Sequence, residues 1–131
     1  MKLDDINKNV IVKLTFNFAL EIIAFCKLLD DNKNYSLSKQ LFRSGTSIGA
    51  NIMEAQNAES KADFIHKFKI SAKEAEETQY WLLLCENSNH LIKPTNLILK
   101  LDEIQKIIAA IIATTKNKIK RSEERRVGKE C

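Results

Sequence analysis

Gly45-Thr-Ser47-Ile-Gly49 matches the G-x-S-x-G pattern, in which a strained strand-to-helix turn lifts a serine hydroxyl into place for acyl transfer. The residues before it, Leu37 to Ser44, have helical rather than strand spacing, and 131 residues are too few for the α/β sheet that builds such an elbow. Two packing glycines around a small polar residue explain the pentapeptide better. Ser36-Leu-Ser-Lys39 has the S-x-x-K spacing of a lysine-assisted acylated serine, but the S-D-N and K-T-G partners of that site are absent, and helix capping explains Ser36. His66 and His90 are the only histidines, and Asp63, three residues before His66, is wanted for a helix cap. Glu86 and His90, four apart, could share a helix face and a metal ion. A structural site needs about four ligands, however, and Cys85 points elsewhere. Glu74, Glu76 and Glu77 read as a solvated face, and no E-x-x-H pair supports a di-iron centre. No phosphate-cradling glycine loop occurs. The expectation is no enzyme: no catalytic residue, no cofactor, no metal and no small-molecule substrate.

Four helical periodicities with short breaks carry these residues. From Asp4 to Leu29, Ile6, Val10, Leu14, Ala19, Ile22, Cys26 and Leu29 recur at steps of three to five. Ile11, Phe16, Phe18, Leu20, Ile23 and Phe25 widen that apolar face well beyond one stripe, and Asp30 to Asn34 is a polar turn. A second helix opens near Ser36 and turns Leu37, Leu41, Ile48, Ile52 and Ala55 inward. Gly45 and Gly49 each cost it about 1 kcal/mol relative to alanine, which makes sense where a neighbouring helix comes close; a broken helix is the alternative. The third opens at Ser60-Lys-Ala-Asp63, nearly a capping box. It turns Phe64, Phe68, Ala72, Ala75, Leu82 and Cys85 inward, sets Lys73 and Glu77 four apart on its outer face, and ends at Asn87 to His90. Pro94 opens the fourth, whose Leu97, Leu101, Ile104, Ile108, Ile111 (or Ile112) and Thr115 form a near-heptad seam. The expected fold is all-α, an antiparallel up-down four-helix bundle over residues 1–120.

With 44% hydrophobic and 29% charged residues, the chain has the composition of one globular domain with a real core. Its longest wholly apolar run, Ile107 to Ala113, is seven residues, against about 20 for a membrane span. Cys26, Cys85 and Cys131 lack metal-type spacing and read as free thiols, and the acidic start does not resemble a signal peptide, so a cytoplasmic setting is expected. The net charge of +4 is local: residues 1–90 sum to −1, residues 91–120 hold six lysines against two acids, and the last eleven add +1. Such a balance does not by itself make a nucleic-acid binder.

The last eleven residues, Arg121-Ser-Glu-Glu-Arg-Arg-Val-Gly-Lys-Glu-Cys131, break the preceding pattern, with Val127 the one apolar side chain before the terminal cysteine. The string resembles the in-frame translation of a sequencing adapter. On that reading 121–131 is a non-native tail, the natural C-terminus is missing and Cys131 carries no meaning. A natural solvated tail is the alternative.

Leu41-Phe-Arg-Ser-Gly-Thr-Ser-Ile-Gly-Ala-Asn-Ile-Met-Glu-Ala55, followed by Glu59-Ser-Lys-Ala-Asp-Phe-Ile-His-Lys-Phe-Lys-Ile-Ser-Ala-Lys-Glu-Ala-Glu-Glu-Thr-Gln-Tyr-Trp-Leu82, resembles the four-helix-bundle family first noted as reading frames in intervening sequences of bacterial 23S rRNA genes. The resemblance is close over the second and third helices and covers 1–118 in layout. It implies a ring-shaped homopentamer without enzymatic activity. A related branch of the fold serves as an accessory protein to retroelement reverse transcriptases. The broad apolar face of the first helix independently suggests a partner surface. Expected partners are therefore other copies of the chain and ribosomal or other structured RNA, with Lys116, Lys118 and Lys120, then Lys39 and Arg43, as candidate phosphate contacts. Ordinary solvated helix ends account for these cations equally well. A protein-interaction scaffold or reverse-transcriptase accessory subunit is the alternative function. No exposed aromatic platform or arginine-rich motif suggests base readout.

Overall fold

The computed structural model describes residues 1–94 and 96–130, with side chains to Gly128. Among them the regular elements are all α-helices: α1 (Leu3–Asn7), α2 (Val10–Asp31), α3 (Tyr35–Ala55), α4 (Lys61–Asn87) and α5 (Leu97–Glu130). Cys131 lies outside the described residues.

The expected first helix is two. The Asn9 side chain accepts from the backbone N–H groups of Ile11 (3.1 Å) and Val12 (3.3 Å), so α2 starts afresh there and α1 packs beside it. Ser36 does not cap α3. The α2–α3 turn closes through Lys33 in the left-handed region (φ 64°) and Asn34 N–H bonding the Leu29 carbonyl at 2.9 Å, which lets α3 begin already at Tyr35. Ser60 caps α4 as expected, accepting from Asp63 N–H at 3.0 Å. Pro94 starts a turn rather than α5: its carbonyl takes the Leu97 N–H at 2.8 Å and the helix proper begins at Leu97. α4 ends at Asn87, so Glu86 and His90 do not share a helix face.

The helices make an all-α bundle in which α2 and α4 each pack on both α3 and α5. Side-chain bonds show neighbours running against one another. On α2–α3, Ser38 Oγ donates to the Cys26 carbonyl (3.1 Å), while Gly49 lies against Thr15 further along. On α3–α4, Ser71 Oγ donates to the Ile48 carbonyl (2.8 Å) and Lys67 Nζ to Glu54 (2.9 Å). These buried hydroxyls are satisfied polar groups that link helices. Both glycines stay within an unbroken α3 and face α2; a Cβ on Gly45 would sit 2.8 Å from Ile22 Cγ2, and one on Gly49 3.2 Å from the Thr15 carbonyl oxygen.

The predicted inner faces of α3, α4 and α5 are the observed ones. Leu41, Ile48, Ile52, Leu82, Leu101, Ile104 and Ile108 are all buried. Of the stripe expected on the first helix, Ile6, Ile22, Cys26 and Leu29 are buried as expected, but Val10 is 70% exposed and Phe18, placed beside the stripe, is in the core.

Cys26 and Cys85 are buried free thiols. Burial pushes Cys26 up to about 11, partly offset by its contact with Ser38, and raises Cys85 in the same direction. Above the ordinary value of 9.0 the unfolded chain loses the Cys26 proton while the folded chain keeps it. Its stabilising contribution is therefore full below pH 9 and is lost as pH rises towards 11. Alkylation of the native protein at mildly alkaline pH, read by peptide mass spectrometry, should leave Cys26 and Cys85 unmodified until denaturant is added. Native labelling at the unfolded rate would contradict this packing.

Candidate interaction surfaces

Gly45 to Gly49 lie inside α3, not at the strand-to-helix turn an elbow needs, and Ser47 Oγ donates to the Arg43 carbonyl of its own helix. Among the described residues no group of three or more His, Cys, Asp or Glu could hold a metal ion, and no helix is long and apolar enough to cross a membrane. The features that remain are surfaces.

The candidate cations fall into separate places. Lys116, Lys118 and Lys120 are exposed in the second half of α5, where Lys118 borders a shallow hollow with Ser60, Lys61, Phe64 and Thr115. Lys39 is exposed near the start of α3, at the opposite end of the bundle: the sixteen residues from Lys39 to Ala55 rise about 24 Å. Arg43 is not a free cation. Its guanidinium reaches across to α4, bonding Glu74 Oε2 at 3.1 Å and Glu77 as well, so Glu77 serves Arg43 instead of the expected Lys73. The other C-terminal lysines are also engaged. Lys100 pairs with Glu21, Lys106 with Asp102 (3.0 Å), and Lys93 Nζ donates to the Glu86 and Ser88 carbonyls at the end of α4. Lys116, Lys118 and Lys120 make no ion pair with any described residue.

The second feature is apolar. Along the outside of the α2–α3 seam, Ile23 (43%), Tyr35 (61%) and Phe42 (46%) are exposed, with Phe16, Ala19, Ala50 and Met53 continuing the strip. The excess apolar surface of α2 was legible in the sequence. The share from α3 was missed, although Tyr35, Phe42 and Ala50 recur at seven and eight residues, a spacing that shares a face.

Beyond residue 120 α5 continues as a helix without packing on the bundle. Residues 121–128 are exposed throughout, and Val127 is 59% exposed.

Comparison with known proteins decides the family. The family model described as 23S rRNA-intervening sequence protein matches residues 7–110. The chain belongs to that family. A solved structure from Bacteroides thetaiotaomicron VPI-5482, described as a protein of unknown function from the S23 ribosomal protein family, is 41% identical. That match covers 78% of this chain and 97% of the other, with a TM-score of 0.74. No curated protein matches. The family match spans most of α2 to α5, stops short of Lys116, and includes both glycines and the seam.

Proposed function

We propose that this member of the family is a non-catalytic bundle that self-associates through exposed apolar surface and holds structured RNA, ribosomal RNA first, through Lys116, Lys118 and Lys120. The observation that carries this function is the contrast among the six lysines of residues 91–120: three are tied to protein acceptors, and the last three are exposed with no ion-pair partner among the described residues. The description of the family points the same way. Lys39 is a secondary contact at the far end; Arg43, held by two carboxylates, is not one. Residues 121–131 take no part and form a foreign tail.

Assembly matters because single phosphate contacts are weak. Residues 1–120 carry +3 (−1 plus +4), so a ring of five copies would carry roughly +15 and bind multivalently. Binding of a structured 23S rRNA fragment should weaken steeply with salt. Replacing Lys116, Lys118 and Lys120 by glutamine in the full chain should reduce the slope of log K against log[salt] by about 2 per subunit, since each phosphate that a lysine neutralises adds about 0.7–0.9 to it. Fluorescence anisotropy across a salt series measures this. No binding at low salt, or an unchanged slope in the variant, would remove the RNA function.

The apolar seam favours a second reading, a scaffold or accessory subunit of a retroelement reverse transcriptase, since such surface suits a protein better than phosphate. A reverse-transcriptase gene beside this one, together with lysine variants that change nothing, would select it.

A further inference from the structure

Helical spacing turns Phe64 into the core, and the structure sets it at the core's edge instead. Its ring is half-buried and lines a hollow of about 510 Å³ between the α3–α4 turn and α5. Phe68, 1% exposed, packs against it with centroids 4.5 Å apart and planes 30° from parallel. One side of the Phe64 ring is thus backed and its position fixed, and the remainder borders the hollow.

Most side-chain polar groups around the hollow are already bonded within the protein. Ser60 Oγ accepts from Asp63 N–H at 3.0 Å, and Thr115 Oγ1 donates to the Ile111 carbonyl at 2.8 Å. Gln56 donates to the Ile52 carbonyl (3.0 Å) and accepts from Asn9 (3.3 Å). Three groups are left: Lys61 on α4, Lys118 on α5 and the Glu59 carboxylate. All three are exposed and make no ion pair with any described residue.

An aromatic ring flanked by two cations, with one acceptor beside them, has the chemistry to hold a nucleotide. The ring stacks on a base, lysines meet the phosphates, and a carboxylate accepts from an exocyclic amine. A base inside a duplex has both faces covered by its neighbours, so the occupant must be unpaired. We propose that the hollow takes one unpaired nucleotide of the bound RNA, its base on Phe64, its phosphates on Lys61 and Lys118 and its amine on Glu59. This rests on the RNA function proposed above, in which Lys118 is a phosphate contact, and adds a base contact to it. It also narrows the RNA: a bulge, loop or strand end supplies such a nucleotide, and a continuous duplex does not.

The test compares two blunt RNA duplexes that differ only in one bulged adenosine, a purine with an exocyclic amine. By fluorescence anisotropy the full-length protein should bind the bulged duplex about tenfold tighter. Phe64→Leu, checked for folding by circular dichroism, should abolish that difference and leave affinity for the plain duplex unchanged, while Phe64→Tyr keeps it. A merely structural role would weaken both duplexes alike. Ultraviolet cross-linking of the wild type needs no variant: after trypsin the bulged nucleotide should be recovered on residues 62–67, the peptide that carries Phe64. Equal binding of the two duplexes, a difference that survives in Phe64→Leu, or cross-links confined to other peptides overturns the nucleotide site and leaves phosphate contact standing. Adenosine monophosphate that displaces the bulged duplex at equal concentration would make the hollow a site for free nucleotides and overturn the RNA contact there. Binding of neither duplex at low salt overturns the RNA function itself.

Discussion

Replacing Gly45 by alanine should destabilise the folded chain by about 1 kcal/mol, and by valine about 3 kcal/mol, although either residue is a better helix former than glycine. The alanine Cβ would lie 2.8 Å from Ile22 Cγ2 and 2.9 Å from Ile22 Cγ1, distances no relaxed contact shows. Those atoms branch directly from the Ile22 Cβ, on a fully buried side chain of α2, so they cannot swing aside like the end of a lysine. Overpacking of roughly 2 kcal/mol then outweighs the gain of about 1 kcal/mol in helix propensity. The sign should reverse once Ile22 is cut back. Ile22→Ala alone should cost about 4 kcal/mol, and adding Gly45→Ala to it should return about 1 kcal/mol. Urea denaturation of the four proteins in this cycle measures the coupling. Equal destabilisation by Gly45→Ala in both backgrounds would show that Ile22 is not what the glycine makes room for.

That contact also explains what the sequence could and could not show. Leu41, Ile48, Ile52 and Ala55 alternate cleanly with polar residues, so the inner face of α3 is readable, and with it the need for a close neighbour at Gly45 and Gly49. α2 is apolar almost all round, and periodicity alone could not centre its core. Spacing favours a stripe that runs from Val10 to Ile22, Cys26 and Leu29, whereas Asn9 caps a helix that leaves Val10 outside and buries Phe18 and even Thr15 beside Ile22. Thr15 tolerates burial because its hydroxyl bonds back to the Ile11 carbonyl at 2.8 Å, an option its residue type does not advertise.

The surfaces divide the same way. Three lysines at alternate positions in the second half of α5 were visible as charge, and the structure leaves them without an ion-pair partner among the described residues. Arg43 looked equivalent. Its engagement depends on the α3–α4 register, which brings residue 43 opposite 74 and 77, and no local pattern encodes that register. The contribution of Tyr35 and Phe42 to the apolar seam depends likewise on how the glycines turn α3 towards α2.

Phe68→Ala should cost about 4 kcal/mol and Phe64→Ala about 1–2 kcal/mol, although the two rings touch, with centroids 4.5 Å apart. Phe68 is 1% exposed and joins the main core, so its removal leaves a cavity walled by other helices. Phe64 is half-buried one turn earlier, at the rim of the hollow bordered by Thr115 and Lys118, where water can replace the missing ring. Against a total stability of about 5–15 kcal/mol for a domain, the Phe68 loss is large, and Tm should fall by about 15 °C. Calorimetry should be run at two protein concentrations. If the chain self-associates, the Tm of wild type and variant rises with concentration, because assembly binds only the folded form. The gap between them should stay constant, since Phe68 faces the interior of its own bundle and not the apolar seam. A gap that narrows as the protein is diluted would place Phe68 in the contact between copies, and equal losses at the two positions would mean that Phe64 is as enclosed as its neighbour.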